Sequence, residues 1–184
     1  VTKHEPCGVS AVTLVSDYEY RMGFGRHYLA RPTVTLRTNS AMFDIGLEVT
    51  NLSNYQSMPL QYMCHMNYAF IPDARMSQSL PDGAFQLRRS VPDHVTPTHQ
   101  WLRINDEILA GKIDADSLVG AEAFDPEIVY FADDLPQYGK TAEFRMQARA
   151  HHDFVTRFRT DQFPVATRWI LHNADQRVAA YVLP

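Results

Sequence analysis

Cysteine is scarce: among 184 residues only Cys7 and Cys64 carry a thiol, too few for a disulfide scaffold. They form no Cys-x-x-Cys pair. Two free thiols in a reducing, cytoplasmic setting are the expectation, with one bridge left open. Long apolar runs are also missing, because charges interrupt them, so no membrane partner is expected. Seventeen Lys and Arg stand against 21 Asp and Glu, a net charge of -4. The positive charge is not gathered into a basic run. No zinc-finger spacing or RNA-binding aromatic signature occurs, so nucleic acid is not an expected partner. Gly-rich phosphate loops, Gly-x-Ser-x-Gly and Cys/His dyads are absent too.

What is present is alternation. Phe43, Ile45, Leu47 and Val49 alternate with Asp44, Gly46, Glu48 and Thr50, a period of two. Val34 and Leu36 alternate with Thr33, Thr35 and Arg37, and Asn39-Ser40 separates the two runs. A hairpin pairing 33–38 with 41–50 follows. Ala142, Phe144, Met146 and Ala148 mark another half-buried strand over 141–149. Further strands are expected at 9–16, 24–30, 60–67, 99–104, 127–132, 154–159, 165–172 and 177–183. Helix signals are few. Asn105 to Gly111 offers a cap and a stop for one or two turns, and 114–120 a second short piece. Pro-Asp turns separate the strands, and the longest loop is expected from Ile71 to about Thr98. Many strands with turns between them predict an all-β fold, a large antiparallel β-sandwich, in one domain over 1–184. The chain starts at Val1 and stops at Pro184 after a strand-like apolar run, which suggests a piece of a longer polypeptide.

The segment from Glu48 to Tyr68 carries the chemistry. Residues two apart on a strand share a face, so Gln61, Met63, His65 and Asn67 point one way. Leu60, Tyr62, Cys64 and Met66 point the other. A titratable imidazole beside a carboxamide suits acid–base work on a polar ligand. The same spacing fits a histidine hydrogen-bonded within a sheet. Tyr68, next to Asn67, is the aromatic placed nearest such a site. Arg75 follows this strand closely and is the arginine best placed for a phosphate or sugar acid, with a solvated loop face as the alternative. Asp73, Asp82, Asp93, His94 and His99 could line a site, but they lie in Pro-rich turn contexts where turn formation is the expected role, and none is assigned as base. Trp101, Trp169, Tyr62 and Tyr68 could stack on a sugar ring, but Trp101 and Trp169 sit in apolar runs and read as core. His151 and His152 are adjacent, so they face opposite ways on a strand, and no metal site or cofactor is expected.

These residues also carry a resemblance. Glu48-Val-Thr-Asn51, then Met58-Pro-Leu60, then a strand ending His65-Met-Asn67-Tyr68, resembles the centre of the aldose 1-epimerase (galactose mutarotase)-like family. It is nearest to the branch of unassigned substrate, which reads roughly "V-T-N … P-x-P-x-x-x-x-Y-H-x-N-x-x-x-P". Pro59, His65, Asn67 and Pro72 stand at the corresponding places. His27-Tyr-Leu-Ala-Arg31, Phe163-Pro164 and Trp169 echo further family segments.

The resemblance implies a galactose mutarotase-like supersandwich, of which this chain is the middle and C-terminal portion. It implies an isomerase that interconverts sugar anomers, with His65 as acid and Asn67 as a ligand of sugar hydroxyls. A small-molecule sugar is the implied partner, and a homodimer is left open. Mutarotation also needs a base, which the family supplies as a late glutamate before a proline. Here Leu183 precedes Pro184 at that place. Either the glutamate lies elsewhere, or the protein binds sugar without turning it over, or the fold serves a structural role.

Overall fold

The computed structural model describes residues 2–4, 10–69, 71, 74–113, 124–147 and 152–184. The expected helical piece at 114–120, together with Cys7, Pro72, Asp73, Ala148 and His151, lies outside the described residues. The chain is all-β, with antiparallel sheets and one α-helix among the described residues. It divides into two compact units, Val1–Leu60 and Gln61–Pro184.

The first unit is a five-stranded sheet of β1 (Thr2–His4), β2 (Ala11–Val15), β3 (Tyr18–Arg21), β4 (His27–Arg37) and β5 (Phe43–Asn51). β4 is its axis: β2 and β3 follow one another along one side, and β5 runs along the other. The expected hairpin is present, and Asn39 turns it at φ +56°, a conformation asparagine tolerates. The strand expected separately at 24–30 is instead the first part of β4. Pro32 sits within β4, where a proline would ordinarily break a ladder. Its carbonyl accepts from the Ser16 amide in the gap between β2 and β3, so its missing N–H faces the break in that side. A Cβ on Gly46 would stand 2.7 Å from the Thr33 hydroxyl oxygen across the hairpin, which explains a glycine inside β5.

Cross-strand register sorts this sheet into two faces. Val34 lies opposite Leu14 and Ile45, and Leu36 opposite Phe43, giving an apolar face. Thr35 lies opposite Thr13 and Asp44, giving a polar one. The polar face is laced by Arg37–Asp44, His27–Glu19 and a Thr13–Thr35 hydroxyl bond, with Asp17–Arg31 beside them.

The second unit has two sheets. One orders β11 (Asp153–Arg159), β10 (Thr141–Gln147) and β7 (Arg75–Gln78). The other orders β6 (Cys64–Ala69), β13 (Arg177–Leu183), β12 (Ala166–His172), β9 (Phe124–Ala132) and β8 (Gln86–Leu87). Their inner faces share one apolar core, in which Phe144 of β10 stacks on Tyr181 of β13 with ring centroids 4.3 Å apart. This unit is a β-sandwich. Within the core the Arg168 guanidinium lies 4.4 Å over the Tyr130 ring and 5.4 Å from the Phe85 centroid. It also donates to the Gln78 side-chain oxygen at 3.4 Å.

Two expectations fail here. The strand expected at 99–104 is the start of α1 (His99–Leu109). Trp101, Ile104 and Ile108 recur at helical spacing and bury one face, while the Thr98 hydroxyl caps the helix by accepting from the Trp101 amide. Asn105, expected as the cap, is buried within the helix and donates to the Trp101 carbonyl at 2.8 Å. The long loop from Ile71 to Thr98 contains β7 and β8. Four- and two-residue strands are too short to show alternation, yet Met76 of β7 is fully buried.

Candidate functional site

The strand β6 delivers the alternation expected of it. His65 and Asn67 are exposed, whereas Cys64, Met66 and Tyr68 are half-buried against the sandwich core. Cys64 is a free thiol. Among the described residues β6 is an edge strand of the five-stranded sheet, paired with β13, so His65 and Asn67 stand on the sheet's outer face at its rim.

Register extends this face inward. His65 lies opposite Val182, which lies opposite Thr167; Asn67 lies opposite Ala180, which lies opposite Trp169. Two strand spacings separate β6 from β12, roughly 10 Å. The His65 and Trp169 rings nonetheless come to 5.9 Å, edge to face at 73°. Both side chains lean over β13, where Ala180 is fully covered beneath them. The result is an imidazole and a carboxamide side by side against a half-buried indole. Among the described residues neither the His65 nor the Asn67 side chain is held by a hydrogen bond. Chemically this set can donate and accept hydrogen bonds and offer an aromatic surface to the C–H side of a polar ring.

The other two expected site residues are not brought to this face. Tyr68 is one residue out of step with Asn67, so it projects into the sandwich. Its hydroxyl bonds that of Thr156, and its ring stacks on Phe154 and meets Tyr181 edge-on. Burial there pushes its phenol pKa up. Arg75 opens β7, next to the core residue Met76, and is exposed on the outer side of the three-stranded sheet. His65 and Arg75 thus belong to opposite outer surfaces of the sandwich. Trp169, read from the sequence as core with sugar stacking as the alternative, stands on this face. The apolar run 165–172 read as core, but Ala166, Arg168 and Ile170 take the inner face and leave Thr167 and Trp169 outside. Trp101 is core as expected.

The position expected to hold the base has a definite orientation. Leu183 lies opposite Cys64, is 1% exposed and belongs to the inner core. A carboxylate at 183 would point away from His65, and Val182 is the neighbour that shares its face. Glu127 of β9 is on the outer face, where it pairs with Arg88 at 3.1 Å. It is three strands and four residues away from His65, on the order of 19 Å, beyond the reach of one sugar ring. Asp82 and Asp93 are exposed in turns, as expected. Among the described residues no group of three His, Cys, Asp or Glu side chains is arranged to hold a metal ion. No helix among them is long and apolar enough to cross a membrane.

No protein-family model matches the chain, and no curated protein or solved structure matches it.

Proposed function

We propose that this is an aldose 1-epimerase-like protein that binds a small sugar on the outer face of the β6–β13–β12 sheet. The observation that carries the reading is the exposed His65–Asn67 pair, unclaimed by other side chains and set against Trp169. In this reading the indole packs on the sugar ring, Asn67 bonds its hydroxyls, the imidazole donates a proton to the ring oxygen, and solvent water takes the proton of the anomeric hydroxyl. Ring opening, rotation about C1–C2 and reclosure then exchange the anomers. A cytoplasmic setting belongs to the same reading, supported by the free Cys64 thiol.

A specific observation favours a second reading, sugar binding without turnover. Mutarotation needs a base opposite the acid, and position 183 faces the core. Exchange NMR of anomer interconversion, over a panel of free and phosphorylated aldoses, separates the two. Accelerated exchange that His65→Ala abolishes supports the enzyme. Saturable binding without acceleration supports the binder. In either case Trp169→Ala weakens sugar affinity about tenfold. Absence of binding to every sugar tested, by wild type, ends both.

A further inference from the structure

The sheet of residues 1–60 has a face that the described residues of its own unit do not cover. Among its described side chains none is buried. Phe43 is 56% and Ile45 61% exposed, and Leu14, Leu36 and Leu47 beside them are exposed too. Register places all five on one face. An apolar patch that crosses an entire sheet marks a surface built to be covered.

We propose that this face is a self-association surface, on which two copies of the chain stack their 1–60 sheets into a two-layer sandwich. Three observations commit the occupant to a second copy. First, size: β4 has eleven residues. With ordinary strand rise and spacing the face is about 37 Å long and about 14–19 Å wide. That is roughly 600 Å² per copy and about 1,200 Å² for two, the size at which specific interfaces begin. Second, charge: in β2, β3, β4 and β5 no residue that register places on this face is charged, and in the edge strand β1 Lys3, opposite Val12, is the one charged residue on it. A two-fold contact sets each patch against its own copy, so a charged face would repel itself and an apolar one does not. Third, closure: the opposite face carries Arg37–Asp44, His27–Glu19 and their neighbours as satisfied pairs. Each sheet has one adhesive side, so association stops at two. Facing sheets of this kind lie about 10 Å apart, their strands within about 30° of one another.

The test is sedimentation equilibrium of the full chain, read beside hydroxyl-radical footprinting of the wild type. The expected result is a reversible dimer, with Phe43 and Leu36 protected increasingly as concentration rises. Ile45→Glu should raise the dissociation constant about a hundredfold by burying an unpaired carboxylate at the contact. Thr50→Lys, on the polar face, should leave it unchanged. A monomer at every concentration overturns the proposal, even if the face is protected, because some other part of the chain then covers it. A dimer whose apolar face stays reactive overturns it equally. Should Ile45→Glu fail to fold, wild-type footprinting still decides.

Discussion

The two units of this chain are built from the same period-two sequence pattern and reach different ends. In residues 61–184 the inner faces of two sheets meet, and Phe144, Met146, Tyr181 and Leu183 are almost wholly removed from water. In residues 1–60 an equally regular alternation yields a sheet whose apolar side is left exposed by the described residues of its unit. Alternation assigns a side chain to a face. It does not supply the second layer. Burial is a property of the pair of layers, and roughly 25 cal/mol is gained only for each Å² that leaves water.

The largest expected effect breaks this comparison open with one substitution made in each unit. Leu183→Glu forces a carboxylate into the sandwich core, where an unpaired charge and the lost leucine packing together cost about 5 kcal/mol. Ile45→Glu adds the same group to an exposed strand and should change monomer stability by less than about 1 kcal/mol. Both tryptophans of the chain, Trp101 and Trp169, lie in the second unit, so tryptophan fluorescence reports that unit's unfolding. Leu183→Glu should shift the urea midpoint strongly and should not create anomer exchange. A Leu183→Glu protein that stays folded and gains exchange would place position 183 on the sugar face and refute the register.

Much of this was legible in the sequence, and the misses have physical causes. The hairpin of β4 and β5, the strand β10 and the final strand β13 follow from long alternations whose partners are near in sequence. The pairing of His65 with Asn67 on one face followed from spacing alone. Trp169 did not, because a sheet with apolar residues on both sides shows a continuous run and hides which side is inner. Arg168, buried between aromatic rings, added to the confusion by placing a charge at an inner position. Tyr68 was placed near the site by adjacency to Asn67, whereas the alternation that joined His65 to Asn67 sends it to the other face. α1 was read as a strand over 99–104 because six residues span less than two helical turns. The Thr98 cap and the 101–104–108 spacing are the signals that identify it.

The helix offers an intermediate effect that sharpens the comparison, because α1 belongs only to the buried unit. The Thr98 hydroxyl accepts from the Trp101 amide at 3.1 Å and donates to the Asp125 carbonyl at 2.7 Å, tying helix to strand β9. The Trp101 indole N–H donates to the Glu127 carbonyl at 3.1 Å on the same strand. Thr98→Ala removes the cap and should cost about 1 kcal/mol, measured by urea unfolding with Trp101 as reporter. Thr98→Ser keeps the hydroxyl and should restore most of it. Equal losses in both variants would assign the effect to the methyl group's packing instead.

The smallest expected effect lies where the two units are most alike, in the ion pairs of their polar faces. In the sandwich, Glu143 receives hydrogen bonds from Arg145 and Arg157, which hold its carboxyl below its ordinary value of 4.5. In the first unit, Arg31 holds Asp17 below its ordinary 3.8 by the same means. A carboxyl whose folded pKa is depressed binds its proton more readily in the unfolded chain. Its stabilisation is therefore complete above the unfolded pKa and disappears as pH falls through the folded one. Solvent screens both sites, and the Glu143 contribution should stay under about 1 kcal/mol. Urea midpoints of the second unit, followed by tryptophan fluorescence from pH 7 downward, should fall below about pH 4.5 more steeply in wild type than in Glu143→Gln. Asp17→Asn should leave that curve unaltered, because Asp17 belongs to the unit without tryptophan. A change in the tryptophan-reported acid limb on Asp17→Asn would mean that the two units unfold together, and the contrast between them would then hold for their packing but not for their stability.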